Sequence, residues 1–525
     1  MDGVQHGFKI ISESSKIPVA SAPNHKSALV NSEATTILVS NEISEGRYHV
    51  CAGWKPNIVS PLGLVPKSNG GFRLIHDCSM PHGKCVNDYT VTMDKQKYES
   101  VEVATSFMTK GCYMAKLDIK SAYRAVAIHP SSYDATGLRW NLNGVDTYLI
   151  DLRLPFGARP SPACFHRISQ FIKRCMIRRG YQKLVAYQDD FLVLGDTHSE
   201  CLAAWKELIY IVERLGFELN QDKLIPPSKQ MSFLGIILDS EAMSVTLPDE
   251  KLVNIREILR EYLGKSRATK RQLQSLAGKL NYAASVVRGG RTFLRRLLDC
   301  INRLKYGHHK CRLTGDLMLD IRWWHDFMEQ FNGKSACIEA HNAVSVMTDA
   351  CLISGGAFYQ GDFYYVNWSS DFQELESLPI NYKEAAMASL AIQRWAPLWA
   401  DKVVYLYSDN QCTVSIINKC SCKNEHVMEL LRTQFWMAAY YNVHIKAVYL
   451  PGVKNEIADT ISRLHEGYGR LLQLEAIINN WFMCHSNIPC AFDTVSFVNH
   501  MSLRSLLTLQ GLHQWRSVKW PWMYW

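Results

Sequence analysis

The sequence predicts an α+β protein built from several domains, and three observations carry that expectation. At 525 residues the chain exceeds one ordinary domain. Short apolar, β-prone runs alternate with segments of helical apolar spacing. Acidic residues stand at the ends of predicted strands in two separate regions, with a strongly basic stretch between them. Hydrophobic residues make up 47% of the chain and charged residues 20%, which suits a packed core and argues against global disorder. The longest apolar runs fall short of a membrane span. The opening Met1-Asp2-Gly3-Val4 lacks the basic-then-apolar order of a secretory signal. An intracellular protein, in cytoplasm or nucleus, is expected.

Residues 1–45 are polar and irregular and read as a loosely held lead-in. From Ile58 the pattern changes. Leu62-Gly63-Leu64-Val65-Pro66, the turn Ser68-Asn69-Gly70-Gly71 and Phe72-Arg73-Leu74-Ile75-His76 give strand, turn, strand. Lys67 and Arg73 flank that turn. Two cations there suit a phosphate-bearing ligand, although ordinary surface turns also carry them. An apolar strand then delivers Asp118, and a small-residue segment with Tyr123 follows. The Gly/Pro-rich stretch from Leu154 through Phe156, Gly157 and Pro160 leads into a helix over 161–179, with Phe165, Ile168, Ile172 and Met176 at helical spacing.

The stretch Leu184-Val185-Ala186-Tyr187-Gln188-Asp189-Asp190-Phe191-Leu192-Val193-Leu194 sets two aspartates between apolar arms. It reads as a strand, a tight turn and a returning strand. Adjacent like charges beside a buried hairpin are unfavourable unless a cation or solvent compensates them. A solvated Asp-Asp turn is common; Asp118, a third carboxylate in matching context, gives this one a chemical reading. A helix over 200–215, a segment with Lys223 and the strand Phe233-Leu234-Gly235-Ile236-Ile237-Leu238 follow.

The net charge of +9 is unevenly spread: fifteen basic residues face three acidic ones between Lys251 and Lys310. One local basic block of helical spacing is what a polyanion-binding element looks like. The 16 cysteines include no Cys-x-x-Cys pair, so neither a disulfide framework nor a ribbon-type zinc site is expected. Further on, strands end on Asp349 and Asp409, Glu384 falls in a helix over 381–395, and Pro451 to Asp459 turns into a helix with Asn455 as a plausible cap.

The blocks at Asp118–Tyr123, Phe156–Pro162, Tyr187-Gln188-Asp189-Asp190, Lys223 and Phe233-Leu234-Gly235, in this order, resemble the palm of a reverse transcriptase. The wording at 233–248 and at 290–297 is similar to DIRS-type retroelements, which mobilise with a tyrosine recombinase. The second acidic set resembles a ribonuclease H domain. The resemblance implies a right-hand polymerase of fingers, palm and thumb followed by a ribonuclease H-like α/β domain. It divides the chain into a lead-in at 1–45, fingers and palm at 46–245, a basic helical thumb at 246–310, a connection at 311–342, the ribonuclease H-like domain at 343–466 and an unassigned tail at 467–525.

The implied activities are RNA-directed DNA polymerase and hybrid-specific ribonuclease, the alternative being an inactive remnant that only binds nucleic acid. Asp118, Asp189 and Asp190 would hold two Mg²⁺ ions, or Mn²⁺, with Asp190 turned away by strand alternation unless the turn re-aims it. Asp349, Glu384, Asp409 and Asp459 would hold a second pair of ions. Lys67, Arg73, Tyr123, Phe156, Gly157 and Lys223 would bind the incoming deoxynucleoside triphosphate, with Tyr123 excluding a 2′-hydroxyl. Lys265, Lys270, Arg271, Lys279, Arg291 and Arg295 would contact the RNA template, DNA primer and RNA–DNA hybrid. One departure stands out: many ribonuclease H domains carry a histidine in the loop before the last aspartate, and residues 449–453 have none. The Arg/His/Tyr constellation of a recombinase is not visible, and the sequence reads as stopping short of it.

Overall fold

In a computed structural model, residues 2–484 are described apart from 68–69, 288, 338–342 and 442. The chain divides after Leu234 into two compact units. The first is built on a four-stranded antiparallel sheet in the order Ile225–Ser228, Tyr113–Asp118, Asp190–Gly195, Leu184–Tyr187. Alternate residues of its strands, among them Ala115, Leu117, Leu184, Ala186, Phe191 and Val193, join one core with the helices Ser161–Arg178 and His198–Arg214. The expected stripe of Phe165, Ile168, Ile172 and Met176 lies in that core. Thr197 and Glu200 start the second helix by reciprocal capping. The hairpin Leu62–Pro66 with Phe72–His76 forms in register Val65↔Arg73; Ser68 and Asn69 of its turn lie outside the described residues.

The expectation of an irregular lead-in over 1–45 is corrected. Ile10 and Ile11 are fully buried, Ala20–Ser21 pairs in parallel with Ile58–Val59, and Ser32–Ser44 is a helix. The reason the sequence hid this is physical. The helix buries only Thr35 and Val39, so it has no apolar stripe to betray a period. Tertiary contacts, not amphipathic patterning, hold it.

The second unit begins with a helical part: Asp249–Leu263, Lys270–Ala283, Arg295–Arg303 and Asp316–Gln330. The strand Lys334–Ala336 extends a small antiparallel sheet with Ser244–Thr246 and Ile236–Asp239. A five-stranded sheet follows in the order Asp362–Asn367, Ser354–Tyr359, Ala343–Ala350, Val403–Ser408, His444–Tyr449. Its first three strands are antiparallel and its last three parallel. The helix Ile380–Trp395 is buried almost all round in this domain's core. Past Glu466, where the resemblance fades, the helix Tyr468–Cys484 seats Leu474 and Ile478 against Phe358, Phe363 and Ile461. Trp515, Trp520, Trp522 and Trp525 lie outside the described residues. Among the described residues no helix is long and apolar enough to cross a membrane.

Candidate active site

The Asp-Asp turn is a two-residue loop closed by the pair Tyr187↔Asp190. Its first loop residue, Gln188, has φ 54°, a strained value for a non-glycine residue that the surroundings must enforce. They do. Gln188 accepts from Ser169 Oγ at its backbone carbonyl (2.6 Å), and its side-chain amide donates to the Pro162 carbonyl (3.2 Å). Gln188 thereby fixes the turn that presents Asp189.

Asp118 ends the neighbouring strand directly opposite Asp190, and the Ile119 amide donates to the Asp189 carbonyl at 3.1 Å. Asp118 is 4% exposed. It accepts from Asn220 Nδ2 at 3.1 Å and from Lys223 Nζ at 2.8 Å. Asp190 faces Lys116 Nζ at 3.1 Å. Burial, then the Asp118 charge, pushes the Asp189 carboxyl above its usual range. Burial also raises Asp190, against the opposing pull of Lys116. The hydrogen bond to Asp118 raises Lys223. Lys116 and Asn220 were missed by sequence reasoning. Lys116 sits two residues before Asp118 on one strand, hence on the same face, which was the available signal.

Asp118, Asp190 and Asn220 open on a cavity of about 590 Å³ that Lys67, Arg73, Tyr123, Phe156, Gln188, Asp189 and Lys223 also line. Lys67 and Arg73 thus line one space. Tyr123 packs its ring 5.3 Å from Phe156 and 5.7 Å from Phe165, and burial raises its phenol. The Arg73 guanidinium lies 5.9 Å from the Phe156 ring. Gly157 has a steric reason: a Cβ there would sit 2.2 Å from the His76 carbonyl oxygen. Asn87 clamps this loop by donating to the Gly157 carbonyl (3.0 Å) and accepting from the Arg159 amide (2.7 Å).

In the second unit, Asp349, Glu384 and Asp409 bring carboxylate oxygens within 4.8 Å of one another. Among the described residues no other group of three acidic, His or Cys side chains does so. Burial, then Asp349 and Asp409, pushes Glu384 up to about 9, and its Oε2 is buried without a hydrogen-bond partner. Burial pushes Asp349 up to about 6, while Ser462 Oγ donates to it at 2.6 Å. An orphaned buried carboxylate oxygen beside two further carboxylates is a donor set that fits a hard divalent cation. Asp459 stands outside this triple and accepts from Arg463 Nε at 2.8 Å. Asn455 occupies the cap position of the helix Glu456–Ser462 without capping it. Its side chain instead donates to the Thr348 carbonyl at 3.0 Å, tying that helix to the strand that delivers Asp349.

The expected nucleic-acid cations separate into two sets. Lys270 Nζ donates to the Leu304 carbonyl at 2.6 Å, Lys279 to Asn254 at 3.1 Å, and Arg295 Nε to Asp299 at 2.9 Å. Lys265 pairs with Glu261. Arg271 and Arg291 are exposed. A set not singled out before lies on the ribbon Arg267–Thr269 with Lys310–Arg312, where Arg267 stands directly opposite Arg312. Like charges in that position are unfavourable unless an anion joins them.

Residues 65–238 match the family model described as reverse transcriptase (RNA-dependent DNA polymerase). This stretch is a reverse transcriptase domain. Over 489 residues the chain is 23% identical to the transposon Tf2-3 polyprotein of Schizosaccharomyces pombe, and equally to the Tf2-7 polyprotein of that organism, covering 88% of this chain. The chain spans about a third of the length of these curated relatives. Among solved structures it resembles the foamy viral protease-reverse transcriptase in complex with dsDNA, at TM-score 0.51 and 16% identity over 84% of this chain and 87% of that one. The same viral protein in complex with RNA/DNA hybrid gives TM-score 0.52 and 16% identity over 85% and 57%. The fold is therefore a right-hand polymerase with a ribonuclease H-like region, and the reverse transcriptase domain carries the Asp118–Asp189 site.

Proposed function

We propose that this chain copies retroelement RNA into DNA at the Asp118–Asp189 centre and degrades the RNA of the hybrid at the Asp349–Glu384–Asp409–Asp459 centre. The observation that carries the reading is that Asp118 and the Asp189-Asp190 turn, joined through the pair Asp118↔Asp190, line one cavity with Lys67, Arg73 and Tyr123. Lys67, Arg73 and Lys223 supply positive charge for a triphosphate. Tyr123 and Phe156 form the sugar side, where the Tyr123 ring leaves no room for a 2′-hydroxyl. Asp118 and Asp189 are the principal metal ligands, and Asp190, held by Lys116, is the weaker partner. Divalent ions bound there supply charge stabilisation at the attacking and leaving oxygens.

In the second centre Asp349, Glu384 and Asp409 hold the ions, with Asp459 completing the set once Arg463 releases it. The exposed cations of the helical part take the phosphate backbone of template, primer and hybrid by sequence-independent contacts. The assignment to the tyrosine-recombinase subtype rests on the wording at 233–248 and 290–297, while the matched relatives are Tf2 polyproteins.

The test of the second centre is hybrid cleavage with Mg²⁺. The unaltered chain and Asp189→Asn should both cut the RNA strand, and Asp409→Asn should not. Cleavage by Asp409→Asn would remove Asp409 from the site. Absence of both cleavage and primer extension in the unaltered chain would leave the binding-only reading standing.

A further inference from the structure

The floor of the nucleotide cavity holds charges that the reading above does not use. Arg124, the residue after Tyr123, is 6% exposed. Its guanidinium donates to both carboxylate oxygens of Asp151 at 2.9 Å and to the Leu154 carbonyl at 3.4 Å. It also donates to Glu42, from Nε at 3.1 Å and from the second terminal nitrogen at 2.7 Å. His76 Nδ1 lies 3.3 Å from Asp151 Oδ2, and the Tyr48 ring lies 5.4 Å from the guanidinium. The other oxygen of Glu42 faces Arg47 at 3.4 Å. Glu42, His76, Arg124 and Asp151 all line the cavity with Tyr123 and Asp118.

The four residues come from four segments: the helix Ser32–Ser44, the end of the strand Phe72–His76, the helix Ala122–Ala125 and the end of the strand Val145–Asp151. The segment that carries Tyr123 and Arg124 is a single helical turn. One turn fixes several residues for very few hydrogen bonds and does not hold itself. The residue before it, Ser121, sits at φ 50°, a conformation that non-glycine residues rarely adopt. Besides its own contacts with Phe156, Phe165 and Gln188, the placement of Tyr123 therefore depends on what anchors its neighbour. One terminal nitrogen of the guanidinium spans both oxygens of Asp151, and Nε with the other terminal nitrogen clasps one oxygen of Glu42, so the two carboxylates together fix the position and the plane of Arg124. Buried ion pairs return little net stability compared with apolar packing, so a cluster of this size beneath a substrate cavity fits a positioning role better than a stabilising one.

We propose that Glu42 and Asp151 act through Arg124 as positioning residues for Tyr123, so that the N-terminal helix Ser32–Ser44 helps set the sugar selectivity of the nucleotide site. This rests on the polymerase reading of that site. Triphosphate contacts belong to Lys67, Arg73 and Lys223 on other segments, so loosening Arg124 acts on the sugar side.

The test is single-nucleotide incorporation by the full chain, comparing the unaltered protein with Glu42→Gln, Arg124→Lys and Glu45→Gln. Glu42→Gln keeps the shape and removes the charge. It should raise KM for the deoxynucleotide and lower the preference over the ribonucleotide, each about tenfold, with kcat at saturation little changed. Arg124→Lys keeps the charge but loses the planar fork and should shift the same two quantities. Glu45→Gln, at the end of the same helix and facing Arg47, should shift neither. Unaltered KM and sugar preference in Glu42→Gln overturn the proposal. A loss confined to kcat and melting temperature, with sugar preference intact in Arg124→Lys, also overturns it, because it marks a merely structural cluster. If the unaltered chain makes no product, the polymerase reading fails instead. Calorimetric binding of dATP against ATP, with a chain-terminated primer–template, then decides the positioning claim by the same comparison of variants.

Discussion

Asp189 and Asp190 are chain neighbours with different surroundings, and the difference comes from single side chains. Gln188 is held by Ser169 and Pro162, which fixes the turn that brings Asp189 to the cavity Asp118 also lines, whereas Asp190 faces Lys116. Close approach matters as much as charge. Gly157→Ala would drive its new methyl against the His76 carbonyl oxygen and push the Phe156 loop away from the cavity. The expected result is a loss of about 100-fold in kcat/KM for nucleotide incorporation with the fold retained, the usual effect of a displacement near 1 Å at a reacting site. Asp151 makes a second prediction. Burial raises its carboxyl, but the Arg124 charge and His76 outweigh that and hold it below the ordinary value. A carboxylate lowered in this way contributes stability above its unfolded pKa and loses it as pH falls through the folded one. Asp151→Asn, which leaves the buried guanidinium with Glu42 as its carboxylate partner, should cost about 3 kcal/mol near neutrality in urea unfolding. That difference should shrink once the pH drops below about 4.

The candidate carboxylates, Tyr123 and Gly157 were legible because they stand in short local patterns. Glu42, Lys116 and Asn87 were not, because what they do is decided by a partner elsewhere on the fold: Glu42 meets Arg124 across 82 positions.

At the scale of elements, the hidden ones were those whose burial has no period. The helix Ser32–Ser44 shows no apolar stripe, so only its contacts reveal it. The strands and the helix Ser161–Arg178 were readable from alternation and helical spacing. The helix Tyr468–Cys484 sits in a stretch that resemblance left unassigned, yet Leu474 is fully buried against Phe358 and Ile461. Leu474→Ala should destabilise the ribonuclease H-like domain by about 2–5 kcal/mol, checked by chemical denaturation. The ribbon bearing Arg267 and Arg312 makes a different prediction, since its cations face each other without an acid between them in the register. Replacing either with glutamine should weaken duplex binding for all sequences and reduce the slope of log affinity against log salt by about 1. Lys270→Gln should instead lower the melting temperature, because its ammonium is bonded to the Leu304 carbonyl.

At the scale of the whole molecule, each compact unit carries one acidic centre. Both centres hold raised carboxyls, Asp189 and Asp190 in the first and Asp349 and Glu384 in the second, and in the first lysines also pair with Asp118 and Asp190. The two activities should therefore separate by mutation, each centre failing alone. The most direct measurement is primer extension by the full chain on a poly-ribonucleotide template with Mg²⁺, beside Asp189→Asn. The account predicts extension by the unaltered chain and its loss in Asp189→Asn while hybrid cleavage persists. Extension that survives in Asp189→Asn, or none from the unaltered chain, would contradict it.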